Sequence, residues 1–168
     1  MAQRDTSSLV GRLGRRVAAL APLAFALLVC VGCAHDLEPP RTLVINEVLS
    51  DNDAAWVDEV GETEDLIELA NPSDEPIELD GYRLEDDRGR SVELPDVVMP
   101  PRSVLLLYAD NDEDQGELHL PFKLSASGVT LTLYDAHDRV LDRVKVPALG
   151  TNDAYARFPS GTGEFRVR

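Results

Sequence analysis

Short apolar segments separated by turn signals fill residues 43–158, and this pattern predicts an all-β domain. Val129, Leu131 and Leu133 alternate with Thr and Tyr, which is the period-two signature of a strand with one buried face. Residues 103–108 (S-V-L-L-L-Y) form a continuous apolar run, short enough for a strand that is buried on both faces. The other predicted strands are Leu43–Leu49, Asp65–Ala70, Ile77–Leu79, Tyr82–Glu85, Ser91–Leu94, Val140–Val146 and Ala154–Phe158.

Turn-forming residues separate these segments, for example N-P-S-D at 71–74, D-G at 80–81 and S-G at 127–128. Short strands with turns every ~8–12 residues are typical of a β-sandwich or a barrel. No segment after residue 42 has the 3.6-residue period of an amphipathic helix. Because aromatic residues make up only 5% of the chain, we expect a core of Leu, Val and Ile.

The first 33 residues have a different pattern, in which basic residues precede a single apolar run. Four arginines between positions 4 and 16 lead into apolar residues 17–32, and V-G-C closes the run at 31–33. This order is typical of a secretory signal. A membrane-spanning helix needs about 20 apolar residues. The run has only 16 and contains Pro22, so a permanent transmembrane anchor is the weaker alternative.

The V-G-C sequence resembles the lipobox of bacterial lipoproteins, in which the cysteine is lipidated after cleavage. Cys30 stands where the lipobox usually has Leu. Cys30 and Cys33 are the only cysteines, so cleavage and lipidation leave no thiol for a disulfide or a metal site. We therefore predict a signal peptide at 1–32, lipidation at Cys33, a tether at 33–42 and a domain at 43–168. The alternative is an ordinary signal peptide with an incidental cysteine.

Ala34 follows the cysteine instead of Asp, which in lipoproteins of double-membraned bacteria indicates the outer membrane. The predicted localisation is therefore the cell envelope, with the protein held at the membrane by its lipid.

The predicted mature chain is strongly acidic. The whole sequence has a net charge of −15, and residues 1–32 hold four basic and one acidic residue, so the remainder carries −18. Such a surface repels phosphate backbones, which excludes nucleic acid as a partner. It attracts basic partners or divalent cations. The plain alternative is a solvated acidic surface.

Five stretches of the chain resemble, in order, motifs of the lamin tail domain family, and together they span about residues 42–165. They are residues 45–48 (I-N-E-V), 67–84 (I-E-L-A-N-P…L-D-G-Y-R-L), 94–107 (L-P…L-L-L), 122–144 (F-K-L-S-A-S-G…V-L-D-R-V) and 155–161 (Y-A-R-F-P-S-G). Leu66 and Tyr82 stand where the family often has Trp, and Arg102 replaces a usual turn glycine.

The resemblance implies an immunoglobulin-like β-sandwich, in agreement with the strand count. In animals this domain forms the tail of nuclear intermediate filaments, and in bacteria it occurs on exported proteins. The resemblance therefore implies an exported bacterial member that acts as a non-enzymatic binding or structural module, with a protein or an envelope polymer as its partner. No cofactor-binding motif, metal-ligand spacing or nucleophile elbow is present in the sequence.

The predicted structural motif consists of Asn46, Glu47, Glu68, Asn71 and Gly81. Glu47 and Glu68 each interrupt an apolar strand, where a charge needs a partner. One hypothesis is that both accept hydrogen bonds from loop amides or Arg side chains and fix the turns at Asn71 and Ser50. The rival hypothesis is a hydrolytic enzyme in which the two carboxylates act as acid and base. An open cavity lined by both carboxylates would favour the enzyme.

Two acidic loops and one tryptophan complete the candidates. Asp110, Asp112 and Asp114 alternate as in calcium loops, although Gly116 falls one position late, so a calcium-dependent adhesion module competes with a solvated loop. Residues 51–65 form a second acidic segment, which contains Trp56. That indole either packs its loop onto the sandwich or anchors a partner or sugar. The three histidines are scattered among turns and the tether without metal-ligand spacing.

Overall fold

Strands provide nearly all the regular structure of residues 43–168, which are the residues that this computed structural model describes. Within them there is no α-helix, and a 3₁₀ turn at Glu113–Gln115 is the single helical element. The strands are β1 Val44–Leu49, β2 Asp65–Ala70, β3 Ile77–Glu78, β4 Arg83–Asp86, β5 Ser91–Glu93, β6 Val98–Met99, β7 Val104–Ala109, β8 Val129–Tyr134, β9 Val140–Val146, β10 Tyr155–Phe158 and β11 Glu164–Val167.

The predicted signal peptide and the tether with Cys33 lie outside the described residues. Across residues 43–168 no helix has the length and apolar character needed to cross a membrane.

The strands form a five-stranded sheet, a four-stranded sheet and a small two-stranded sheet. The five-stranded sheet has the order β11-β10-β1-β2-β7, the four-stranded sheet has the order β5-β4-β8-β9, and β3 pairs with β6. All named strand pairs are antiparallel. The two larger sheets share one apolar core, which confirms the prediction of an all-β, immunoglobulin-like sandwich.

The core is built from side chains at alternate positions of the strands, those that face inward from both sheets. Ile67 and Leu107 contribute from the five-stranded sheet, and Leu84, Leu131 and Val144 contribute from the other. Phe122 is the largest fully buried side chain, and the rest of the cluster is mostly Leu, Val and Ile. This composition confirms the aliphatic core expected from the sequence.

Strand β1 contains a bulge that decides which of its side chains face the core. Ile45 and Val48 are three residues apart and both belong to the core cluster, which strict alternation does not allow. The β1–β2 register shifts between Ile45 and Glu47, so Asn46 is the extra residue. The bulge turns Glu47 to the outer face of the sheet, beside the outward residues of β2.

The prediction that residues 103–108 form a strand buried on both faces is wrong. Strand β7 lies at the edge of the five-stranded sheet, Val104 is exposed, and Leu105 and Leu106 are half-buried. Only the end of the strand is covered, where Tyr108 exchanges backbone hydrogen bonds with Leu118 and Leu120. An apolar run shows that a segment is largely buried, but it does not show which strands will flank it.

Two strands, β6 and β11, were not predicted from the sequence. Strand β6 has only two residues and pairs with the equally short β3. Strand β11 (E-F-R-V) follows a tight turn at 159–163 and forms a hairpin with β10. Neither segment is long enough for its own pattern to show, and both are strands because a partner is already in place.

Candidate functional site

A cavity of about 160 Å³ lies on the outer face of the five-stranded sheet. Leu49 of β1, Leu66 of β2 and Leu106 of β7 line it. These three side chains face outward because their neighbours Val48, Ile67 and Leu107 face the core. Trp56, from the acidic loop before β2, supplies an aromatic wall and is 48% exposed. From this position Trp56 can both pack its loop onto the sheet and contact a ligand, so the two predicted alternatives do not exclude each other.

Glu47 and Glu68 meet at this cavity. They are directly opposed on the antiparallel strands β1 and β2, and both line the cavity. Glu47 forms an ion pair with the guanidinium of Arg168, which is one of the two contacts expected for it. Glu68 accepts a hydrogen bond of 2.5 Å from Asn46 Nδ2. Neither side chain contacts a backbone amide or the turns at Asn71 and Ser50, so the expected role in fixing those turns is not seen.

Glu68 is a half-buried carboxylate without an ion-pair partner among residues 43–168. Burial raises the pKa of Glu68, and the neighbouring carboxylate of Glu47 adds to that effect. The hydrogen bond from Asn46 and the charge of Arg168 oppose the increase without cancelling it. The cavity therefore combines an apolar lining, an indole and a carboxylate whose charge is poorly compensated.

Asn46 positions Glu68 and connects the bulge to the turn between β10 and β11. Its Oδ1 accepts a hydrogen bond of 2.5 Å from the backbone N–H of Gly161, while its Nδ2 donates to Glu68. The residue is 3% exposed, so both polar ends of its side chain are satisfied in a buried setting. The bulge thus places an amide where a regular strand would place an apolar side chain.

Asn71 and Gly81, the other two residues of the predicted structural motif, lie away from the cavity in turns. Asn71 Nδ2 donates to the carbonyls of Glu75 and Pro100 at 2.8 and 2.9 Å, which joins the turn after β2 to the loop before β7. Gly81 has a positive φ of 74°, and a Cβ there would come within 3.0 Å of the Cβ of Ala136. Their contacts organise turns and place no group at the cavity.

The loop that carries Trp56 is held by two asparagines. Asn52 Nδ2 donates to the Trp56 carbonyl at 2.7 Å, and Asn52 Oδ1 accepts from the Trp56 N–H at 3.2 Å. Asn152, in the loop before β10, accepts hydrogen bonds from the N–H groups of Asp53 and Ala54, both at 2.9 Å. The backbone on both sides of the indole is thereby fixed before any ligand arrives.

His119 also holds this loop, a role that was not predicted from the sequence. Its ring is fully buried and stacks on Tyr108 with 4.8 Å between ring centroids. Nδ1 contacts Asp110 and Nε2 lies 3.1 Å from Glu59 of the Trp56 loop. Burial lowers the pKa of His119, but the hydrogen bonds and charges of Asp110 and Glu59 outweigh it and raise the pKa above its ordinary value. The feature of the sequence that could have indicated burial of His119 is its position between Leu118 and Leu120.

In the acidic loop at 110–116, which was considered as a calcium site, Asp110 forms its contacts within the protein. Asp110 Oδ1 accepts the N–H of Asp112 at 2.9 Å, and Oδ2 contacts His119, so both oxygens of Asp110 are already used. Nowhere in residues 43–168 do three or more His, Cys, Asp or Glu side chains come together in a way that could hold a metal ion. The described structure therefore offers nothing in favour of the calcium-dependent alternative.

Comparison with known proteins gives a family. The sequence matches the Lamin Tail Domain family over residues 38–148, about two thirds of the chain. The matched segment contains Glu47, Trp56 and Glu68, and strands β10 and β11 follow it. A search of curated proteins finds no match. Lamin tail domains are immunoglobulin-like β domains and are generally non-catalytic. The chain therefore belongs to the lamin tail domain family.

Proposed function

We propose that this protein is a lipid-anchored bacterial cell-envelope protein whose lamin tail domain is a non-enzymatic binding or structural module. The observation that carries the proposal is the order of the sequence, in which an export segment ending in V-G-C at 31–33 directly precedes the family match at 38–148. In this proposal, residues 1–32 are removed as a signal peptide, residues 33–42 form the tether and residues 43–168 form the exposed domain.

The anchor is a diacylglycerol on the thiol of Cys33 together with an acyl group on its amine. A single acyl chain gives only marginal membrane binding, whereas two or more chains hold a protein stably. Ala34 supports retention at the outer membrane. The partner is a protein or an envelope polymer, and the net charge of −18 after residue 32 argues against nucleic acid.

Replacing Cys33 tests the anchor. We expect Cys33→Ala to move the protein from the membrane pellet to the soluble fraction, because the only thiol that remains after cleavage is removed. Cys30→Ala is the matched control and is expected to stay in the pellet, since Cys30 lies in the removed segment. Fractionation after cell lysis, followed by immunoblotting, measures both variants. Retention of Cys33→Ala in the pellet would contradict the lipoprotein.

One observation favours a second candidate function, a hydrolase that uses Glu47 and Glu68. Both carboxylates line one cavity, as an acid–base pair requires. However, the cavity of about 160 Å³ is smaller than the ~300–1,000 Å³ of ordinary small-molecule sites. Glu47 is also held by Arg168. Assays with fluorogenic glycosides, esters and phosphates discriminate the two functions, because turnover that Glu68→Gln abolishes would establish the hydrolase.

A further inference from the structure

We propose that the cavity between Trp56 and Glu68 receives a single basic side chain, a lysine or an arginine, presented by a partner protein. This inference rests on the proposed binding function and names the ligand chemistry of the module. It does not depend on the lipid anchor.

The size and lining of the cavity fit one side chain. Its volume of about 160 Å³ is too small for a typical small-molecule ligand, whose sites occupy about 300–1,000 Å³. Leu49, Leu66 and Leu106 offer apolar contact to an aliphatic stem. Lys and Arg bury such stems against apolar surfaces while their charged heads reach polar groups.

The polar and aromatic groups of the cavity favour a cationic ligand over a neutral or anionic one. Glu68 has no ion-pair partner among the described residues, and its one hydrogen bond comes from Asn46 Nδ2. A half-buried carboxylate in apolar surroundings gains most when a cationic donor arrives. The exposed indole of Trp56 adds a second attraction, because ammonium and guanidinium groups bind favourably over aromatic faces.

Arg168 shows that a guanidinium can reach this carboxylate pair from within the chain. Its head pairs with Glu47 at the cavity, while its side chain remains 67% exposed. Because the arginine partner of this ion pair is open to solvent, the pair is weakened and a ligand can displace it. Arg168 is therefore a competitor for the incoming cation, and its removal frees the second carboxylate.

The loop beside the cavity is already ordered and carries exposed apolar residues, both of which favour binding of a protein partner. Asn52, Asn152 and His119 fix the loop that carries Trp56, so little ordering remains to be done on binding. Val57 and Val60 on the same loop are 55% and 61% exposed, which suits apolar residues beside the basic one. The acidic surface favours the approach of a basic segment and repels acidic ones.

The test is a titration of the full-length protein in detergent with acetyl-Gly-Leu-Lys-Leu-Gly-amide at constant ionic strength. Trp56 is the only tryptophan in the chain, so its fluorescence reports the cavity directly. We expect a saturable change with this peptide and with its Arg analogue. The peptide with norleucine in place of Lys is expected to bind at least about tenfold more weakly, because it lacks the cation.

Two variants move the affinity in opposite directions. Glu68→Gln keeps the acceptor for Asn46 and removes the charge, and it is expected to weaken the Lys peptide about tenfold. Arg168→Ala is expected to strengthen binding, a result that damage to the fold cannot produce. Glu75→Gln removes one exposed charge at a distance from the cavity and is expected to leave the affinity unchanged.

Several results would overturn the proposal. They are equal binding of the norleucine peptide, equal losses in Glu68→Gln and Glu75→Gln, or the absence of saturable binding in both wild type and Arg168→Ala. Binding of n-butylamine without binding of the peptide would also overturn it, since the site would then take free amines. Failure here leaves the anchoring result for Cys33→Ala untouched, so the two proposals fail separately.

Discussion

His119 is the residue whose setting differs most from its sequence context. The imidazole is buried against Tyr108, with Asp110 on one nitrogen and Glu59 on the other, and Asp58 acts on it at longer range. Because its pKa is raised on folding, the charged ring stabilises the fold. That contribution is fully present below the unfolded value of about 6.5 and is lost as the pH rises through the higher folded pKa.

A substitution at His119 should therefore have a pH-dependent cost. We expect His119→Gln to lower the free energy of unfolding by about 1.5–3 kcal/mol at pH 6, the range for a hydrogen bond to a charged group. The difference from wild type should be smaller at pH 9, because the contribution of the charged ring declines once the pH exceeds the unfolded pKa of about 6.5. Urea unfolding at the two pH values measures it.

The exposed His137 provides the control for this prediction, since its side chain lies at the surface of a turn. His137→Gln is expected to change stability little at either pH. A loss in His119→Gln that stays constant from pH 6 to pH 9 would show that the ring acts by packing alone.

Two hairpins in the four-stranded sheet have the same arrangement of hydrogen bonds around an Asp side chain in the turn. Asp86 accepts the N–H groups of Arg88 and Arg90 on one oxygen at 2.9 and 2.8 Å, and Arg90 Nε on the other at 2.7 Å. Asp135 repeats this arrangement in its own turn with Arg139. An Asp four residues before an Arg thus closes both the β4–β5 and the β8–β9 hairpins.

Removal of the first of these carboxylates should open its hairpin. Burial raises the pKa of Asp86, but its hydrogen bonds from Arg90 and Arg88 outweigh this and lower the pKa overall. Its stabilisation is therefore present above the ordinary carboxyl value and is lost as the pH falls. We expect Asp86→Ala to cost about 1.5–3 kcal/mol at pH 7 and less at pH 3.

The exposed neighbour Arg88 serves as the comparison, because only its backbone N–H contacts Asp86. Thermal unfolding of Asp86→Ala and Arg88→Ala measures the difference. Similar melting temperatures for the two variants at pH 7 would contradict a specific role for the carboxylate.

Among the strands, the sequence was most informative for those that are long and flanked by turns. Strands β1, β2, β8 and β9 lie within a residue or so of their predicted bounds because alternation or apolar content marks each one. The edge position of β7 and the existence of β6 and β11 depend on partners elsewhere in the chain. Local pattern cannot supply such information.

The candidate site shows the same limit. Glu47, Glu68 and Trp56 were each notable in the sequence, because a charge interrupted an apolar strand or a lone indole stood in an acidic loop. Their meeting with Leu106 and Arg168 requires the strand order β1-β2-β7 and the bulge at Asn46. The sequence showed that each of these residues was chemically unusual at its position. The cavity that brings them together exists only in the folded chain.

A buried ion pair between Arg157 and Asp142 joins the two sheets. Arg157 of β10 donates from Nη2 to both carboxylate oxygens of Asp142 of β9, at 3.0 and 2.8 Å. Its Nε donates to the carbonyl of Ile45, whose N–H donates to Asp142 at 3.0 Å. The two side chains are 8% and 10% exposed. The pair and its backbone contacts therefore connect β1, β9 and β10 across the sandwich.

Breaking this pair from one side should be among the most costly single changes in the domain. Removing one partner of a buried ion pair leaves an uncompensated charge, which typically costs about 3–5 kcal/mol. We expect Asp142→Ala to lower the free energy of unfolding by that amount, measured by urea unfolding at pH 7. Arg143→Ala, at the exposed neighbouring position on β9, is the matched control and should cost less than about 0.5 kcal/mol.

The double variant Asp142→Leu with Arg157→Met separates charge from packing. Apolar residues of similar volume often replace a buried ion pair with little loss, because neither charge must be desolvated. The Ile45 and Gly163 carbonyls would lose the hydrogen bonds that Arg157 donates, and the Ile45 N–H would lose its acceptor on Asp142, so recovery should be partial. We expect the double variant to be more stable than Asp142→Ala. If it is as unstable as that single variant, the hydrogen bonds that the two side chains form with the backbone, and not the balance of their charges, determine the stability at this site.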